Sequence, residues 1–407
     1  MRLLAALLLA VLPIAAAAQQ PPDVEGAKRT IAAIEGLLKQ RPQDGTLHFW
    51  LARFQAELGD AKATVAALDK ASEYGDGFLP TRDFFARVWD DPGFQAAYQR
   101  MEAKLPRLDF APTAFELQDR TLLPEGIAYD APSHAFFVGS IAQGKVMRVD
   151  AERQVKEFAG EDARLDSVLG LAVDAPRRVL YVVSTNALTE KGRQARRNAI
   201  FAFEVDQHRL LQRYEVPGAL QLNDVAVAPG GQRVFTSDSE SGAIYEIAVK
   251  GPGPSRELVP PGAIRGSNGL AVSPDGMKLY VANSTGLAVV DLVTREVKRV
   301  NNETRETVAA IDGLYEWQGE LIGVQNATTP GRVIVISLGK GGESITRVRT
   351  LLSHHHNRLD EPTTGAIGGD SFYLLAATGV THFDRQGRID RPDTVPTPTV
   401  VRIPLPR

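Results

Sequence analysis

The stretch "SNGLAVSPDGMKLYVANS" (267–284) sets two β-like runs on either side of a Pro-Asp-Gly turn, with Asn268 and Gly269 immediately before the first run. Alone it is one hairpin. Five other stretches repeat its plan: "PEGIAYDAPSHAFFVGS" (124–140), "LGLAVDAPRRVLYVVST" (169–185), "LNDVAVAPGGQRVFTSDS" (222–239), "IDGLYEWQGELIGVQN" (311–326) and "TTGAIGGDSFYLLAAT" (363–378). Aligned on the position of Gly269, the anchors are Gly126, Gly170, Asp224, Gly269, Gly313 and Gly365, at intervals of 44, 54, 45, 44 and 52 residues. Self-similarity at that period, with room for four short strands in each unit, is the spacing of a propeller blade. The sequence therefore predicts an all-β six-bladed propeller over 113–407. Either "TAFELQD" (113–119) or "TVVRIPL" (399–405) is expected to close the ring and remove its open edge.

The innermost strand of each blade runs along the central channel, so residues at equivalent ends face one axis. The position before each anchor holds Glu125, Leu169, Asn223, Asn268, Asp312 and Thr364. Four of these six side chains carry a carboxylate or carboxamide oxygen. Asn and Asp are common turn residues, and a hydrogen-bonded polar plug is the plain alternative. A ring of oxygens without imidazole or thiolate suits a hard divalent cation, which relieves the repulsion between two facing carboxylates. Calcium is the first choice, with magnesium, manganese and zinc as the other options.

Residues before the propeller follow another period. In "TLHFWLARFQAELGDAKATVAALDKASEYGDG" (46–77), apolar residues recur every three or four positions on both sides of a Leu-Gly-Asp turn. This predicts two amphipathic helices packed as a hairpin. The aromatic, Leu-Gly and alanine pattern resembles a tetratricopeptide unit. A further helix is expected over 85–105, interrupted at Asp91-Pro92. The division is thus a leader at 1–18, a small all-α, tetratricopeptide-like domain at 19–110 and the propeller at 113–407. A groove for a protein partner and a cap on the neighbouring domain are the two readings of the helical part.

The first residues, "MRLLAALLLAVLPIAAAAQQ", pair Arg2 with a short apolar run and small residues at 16 and 18, the pattern of a cleaved secretory signal. A periplasmic or secreted protein is expected. With no cysteine, the chain has neither disulfides nor thiolate chemistry, and its 46 basic against 49 acidic residues give no block suited to nucleic acid. No later segment is apolar enough to span a membrane.

The motifs "SNGLAVSPDGMKLYVANS", "PEGIAYD", "LNDVAVAPGGQRVFTSD" and "IDGLYEWQGELIGV" resemble the regucalcin/gluconolactonase family of six-bladed propellers, relatives of the paraoxonases and strictosidine synthase. The resemblance implies a catalytic divalent metal in the channel, with Glu125, Asn268 and Asp312 as ligands and Asn223 completing the set. It implies hydrolysis of a lactone or similar ester, with Asp312 as the base and Asp224 orienting the ligands from outside. Two features depart from the pattern. Gln221 stands where regucalcin-like members carry an arginine, and Leu169 stands where paraoxonases carry a histidine. The competing expectation is a non-catalytic, calcium-stabilised propeller that binds a ligand or protein together with its helical domain.

Two other stretches carry expectations. "EKGRQARRN" (190–198) is expected to be a solvated loop, and "SHHHNRLDE" (353–361) an exposed loop whose three adjacent histidines cannot all face one ion. No Gly-x-Ser-x-Gly nucleophile motif occurs.

Overall fold

The computed structural model describes residues 23–250 and 255–406; the expected leader at 1–18 lies outside them. Five helices come first: α1 (Val24–Leu38), α2 (Gly45–Glu57), α3 (Ala61–Tyr74), α4 (Arg82–Phe85) and α5 (Pro92–Glu102). Their starts follow from the sequence. Asp23, Asp44, Asp60 and Asp91 each accept a backbone N–H from the first turn of α1, α2, α3 and α5, at 2.8–3.1 Å. Pro92, expected to interrupt a helix, instead begins α5 at its first position, where the missing N–H has no partner to lose. Gly59 turns the chain between α2 and α3 at φ 78°. Phe49, Phe85, Phe94, Leu47 and Leu68 are fully buried in the core of the bundle.

The rest of the described chain forms six sheets in ring order, each with its inner strand leading. The inner strands are Pro124–Asp130, Ser167–Asp174, Leu222–Val227, Leu270–Val272, Ile311–Trp317 and Gly365–Gly368 for blades 1 to 6. All six anchors therefore lie in or directly before an inner strand. The hydrophobic clusters fill the layers between adjacent blades; Phe137, Val168, Leu180 and Phe201, for example, join blades 1 and 2. Both terminal strands close the ring. Thr399–Pro404 is the third strand of blade 6, and Thr113–Glu116 pairs outside it, with Thr113 opposite Val401.

The recurrent glycine has a steric cause. A Cβ on Gly126 would lie 2.0 Å from the Leu169 carbonyl oxygen, and one on Gly269 2.3 Å from that of Asp312. Inner strands of adjacent blades touch backbone to backbone at this level.

The helical region is docked on the propeller. Trp50 donates its indole N–H to the Ser284 carbonyl at 2.8 Å, and the backbone N–H of Leu79 reaches Thr328 O at 2.9 Å. The N–H groups of Asp76 and Thr307 bond to the carbonyls of Arg305 and Asp76 at 2.8 and 2.9 Å. Ala310 and Ala327 pack into the helical core. Ser284, Ala327 and Thr328 all follow second strands, and Ala310 precedes an inner strand. The helices therefore sit on the face where the inner strands begin. This is the arrangement of a cap.

Candidate metal centre

Four inner strands carry a bulge at one place. In blade 1, Pro124 pairs with Ser140 and Ile127 with Val138, so two residues oppose one. The same shift lies between Val168 and Leu171, Leu222 and Val225, and Ile311 and Leu314. A bulge leaves a residue unpaired and re-aims its side chain. The column at 125, 169, 223 and 312 sits inside these bulges.

Three blades bring carboxyls together from these bulges: Glu125, Asp224 and Asp312. Asp312 accepts an N–H from Asn268 on Oδ1 at 2.8 Å and one from Asn326 on Oδ2 at 2.7 Å. Asn326 also donates to the Pro362 carbonyl at 3.0 Å, which fixes its orientation. Asn223 donates its N–H to Ser239 Oγ at 2.8 Å, and Ser239 donates to Ser267 O at 2.8 Å. With the amide nitrogens of Asn223 and Asn268 engaged, the oxygen is the atom each residue has left to offer. Glu125 is buried, and its Oε2 has no hydrogen-bond partner. Its backbone carbonyl accepts the hydroxyls of Thr363 and Thr364, at 2.8 and 2.5 Å, which ties blade 6 to blade 1.

Asp224 has a different part. It replaces glycine in the anchor column, and a Cβ on Gly170 would lie 2.7 Å from both its Cα and its Oδ1. Its Oδ2 accepts the Leu270 N–H at 2.8 Å, bridging blade 3 to blade 4 beside Asn223. Leu169 is buried in the apolar layer between blades, and Thr364 serves the seam to Glu125. The column thus divides into four oxygen donors and two packing positions.

Crowding of acids shows in their ionisation. Burial, then the charges of Asp312 and Asp224, raises the Glu125 carboxyl well above its ordinary range. Burial lifts Asp224 to about 7 against its backbone hydrogen bonds, and Asp312 to about 6 against the Asn326 and Asn268 bonds. A buried Glu125 oxygen without a partner, facing acids that repel it, is the environment a divalent cation neutralises. The donor set of two carboxylates and two amide oxygens fits such an ion.

Several participants were not selected from the sequence. Asn326 lies beyond the second strand of blade 5, outside the inner column. Glu361 adopts φ 56° although it precedes Pro362, and its Oε2 is buried without a partner. Burial, then Asp83 of α4, Asp360 and Asp312, raises its carboxyl to about 8. Tyr315 accepts the Gly365 N–H at 2.8 Å, and its hydroxyl is pushed up by burial and by Asp224. Beyond the carboxyls, the inner strands line a cavity of about 520 Å³ that includes Asp224 and Tyr315.

The stretch 190–198 corrects its expectation of a solvated loop. It holds a short helix, α6 (Glu190–Gln194), and its arginines are recruited by acids. Arg193 bonds Glu240 at 3.1 Å and Gln221 Oε1 at 3.3 Å, while its Nε is buried without a partner. Arg196 pairs with Glu240 at 2.7 Å. A guanidinium therefore reaches position 221 from another blade.

Comparison with known proteins agrees with this architecture. Residues 123–322, which contain Glu125, Asn223, Asn268 and Asp312, match the model of the SMP-30/gluconolactonase/LRE-like region. No curated protein sequence matches the chain. Among solved structures, a gluconolactonase from Xanthomonas campestris is 18% identical, covering 74% of this chain and 91% of that one, with a TM-score of 0.48. A calcium-binding regucalcin from Agrobacterium tumefaciens is 16% identical, covering 74% and 100%, with a TM-score of 0.49. The PQQ-bound aldose sugar dehydrogenase from Streptomyces coelicolor, 16% identical over 74% and 99%, scores 0.48. The match spans the blades that carry Glu125, Asn223, Asn268 and Asp312, so this propeller contains an SMP-30/gluconolactonase/LRE-like region over residues 123–322.

Proposed function

We propose that the chain is an exported hydrolase, dependent on a divalent cation, that opens a lactone or similar ester in the propeller channel. The observation that carries this reading is the crowding of the buried Glu125 and Asp312 carboxyls, with Asn268 bonded to Asp312 and one Glu125 oxygen having no protein partner. Glu125, Asn223, Asn268 and Asp312 would hold the ion, with calcium preferred for an all-oxygen set. A cation held there supplies polarisation of the substrate carbonyl and a lower pKa for water.

The protein's own groups supply the rest. Asp312 is fixed by Asn268 and Asn326, one N–H on each oxygen, and keeps lone pairs to take a proton from the attacking water. Asp224 holds the Asn223 strand against blade 4 and so positions an oxygen donor. Arg193, delivered beside Gln221, favours a substrate with an anionic or strongly polar group at the channel mouth. The helical region, its α2–α3 pair read as tetratricopeptide-like, acts as a cap that limits entry of water and bulk substrate from that face. The 1–18 leader sequence supports export to the periplasm or beyond.

The test is metal content and hydrolysis of a lactone panel for the mature protein and Asp312→Ala. Stoichiometric metal with metal-dependent turnover, both lost in the variant, is the expected result. Retained turnover in Asp312→Ala, or full turnover after chelation, overturns the assignment.

A further inference from the structure

A second cluster of ligand-type side chains lies between the helical region and the propeller. Glu102 is the last residue of α5, and His354 and His355 follow the outer strands of blade 5. His354 is 9% exposed, and its Nε2 lies 3.3 Å from Glu102 Oε1. The rings of His354 and His355 are 4.0 Å apart. One ligand atom from each of the three residues falls within 4.8 Å of the others. We propose that Glu102, His354 and His355 form a transition-metal site, of the kind that takes zinc, which clamps the helical region to the propeller.

The difficulty of three adjacent histidines is resolved by rotation. His356 turns away and bonds the Ala111 carbonyl through Nε2 at 2.8 Å, leaving two rings for the site. Ser353 fixes one of them. Its hydroxyl donates to Leu108 O at 3.1 Å, so the His355 Nδ1, 3.0 Å away, is the donor to that oxygen. The lone pair of His355 Nε2 is then free for a metal. A hydrogen-bond acceptor on the far nitrogen of an imidazole fixes the ring and tautomer of a histidine ligand, and the Ser353 hydroxyl is such an acceptor.

Three further points favour a metal over a simple interface hydrogen bond. Tetrahedral zinc, with bonds near 2.0–2.2 Å, separates its ligand atoms by about 3.4 Å, close to the 3.3 Å between His354 and Glu102. A carboxylate at a helix C-terminus opposes the helix dipole, and a cation there offsets the conflict. The donor set of two imidazoles and one carboxylate suits zinc-type ions, whereas the channel offers oxygens alone.

The test is calorimetric titration of the chelator-treated full-length mature protein with zinc chloride, with calcium chloride in excess to occupy the channel. One zinc per chain is expected. Glu102→Gln and His355→Ala, on opposite sides of the interface, should each weaken binding at least tenfold, and Ser353→Ala about tenfold. Asp312→Ala should leave it unchanged. Absence of zinc binding overturns the proposal, as does zinc that survives both Glu102→Gln and His355→Ala or is lost in Asp312→Ala. Circular dichroism of each metal-free variant separates loss of a ligand from loss of fold.

Discussion

Asp224 makes the metal-free protein respond to pH against the usual direction. Its carboxyl stands near 3.8 in the unfolded chain and is raised to about 7 in the folded one, burial being the largest cause. Between those values the folded state binds the extra proton, so stability falls as pH rises. The full shift of roughly 3 units corresponds to about 4 kcal/mol, lost progressively from about pH 4 through pH 7. Asp224→Asn keeps an oxygen to accept the Leu270 N–H and removes the titration. Urea unfolding of chelator-treated wild type and Asp224→Asn across pH 4–8 isolates this group together with its coupling to Glu125, because carboxylates that do not interact with it cancel in the difference. The wild type should lose stability relative to the variant by about 3 kcal/mol between pH 4 and 7. Excess calcium should flatten the difference, since a nearby cation favours the charged form. A difference that is constant with pH, or that grows in favour of the wild type, would refute the account of the buried acids.

Other changes test other parts of the assembly. Asn326→Ala removes the donor on Asp312 Oδ2 and should weaken calcium binding by about 10–100-fold, measured by titration, and lower the melting temperature of the metal-free protein, because two buried hydrogen bonds are lost. Gly126→Ala puts a methyl 2.0 Å from a backbone oxygen and should destabilise the propeller by more than about 3 kcal/mol, read from denaturant midpoints; a neutral result refutes the close approach of inner strands. Trp50→Phe breaks the indole bond to Ser284 O and should cost about 1–3 kcal/mol, with earlier protease cleavage between the helical region and the propeller.

The column of oxygens was visible because the repeat fixes phase. Once blades align on glycine, the residue before it faces the axis in every copy, and Glu125, Asn223, Asn268 and Asp312 stand out without coordinates. The same alignment holds a second column. Each repeat ends in a small polar residue: Ser140, Thr185, Ser239, Ser284, Asn326 and Thr378. Two of these orient the site, Ser239 through Asn223 and Asn326 through Asp312. Reading both ends of the hairpin would have found them. No local signal could bring Arg193 to Gln221 or Glu102 to His354. Those contacts span 28 and 252 residues and exist because separate loops meet over one face. Glu361 was masked by its neighbours, since a carboxylate beside a histidine run looks solvated until the backbone at φ 56° is seen.

Ring closure by the strand Thr113–Glu116 has a consequence for biosynthesis. That strand leaves the ribosome before any other part of the propeller, yet its partner Val401 is made 288 residues later. The helical region emerges earlier still and has its own buried core. It is joined by residues 103–112 to a strand that has no sheet to enter until Thr399–Pro404 has been made. Blades 1 to 5 can order as they appear, but the last blade is assembled only after Thr399–Pro404 has left the ribosome. Final closure, and with it the seam from Thr363 and Thr364 to Glu125, therefore comes last in the folding of the propeller. A cation present at that step would meet the channel as it first becomes complete.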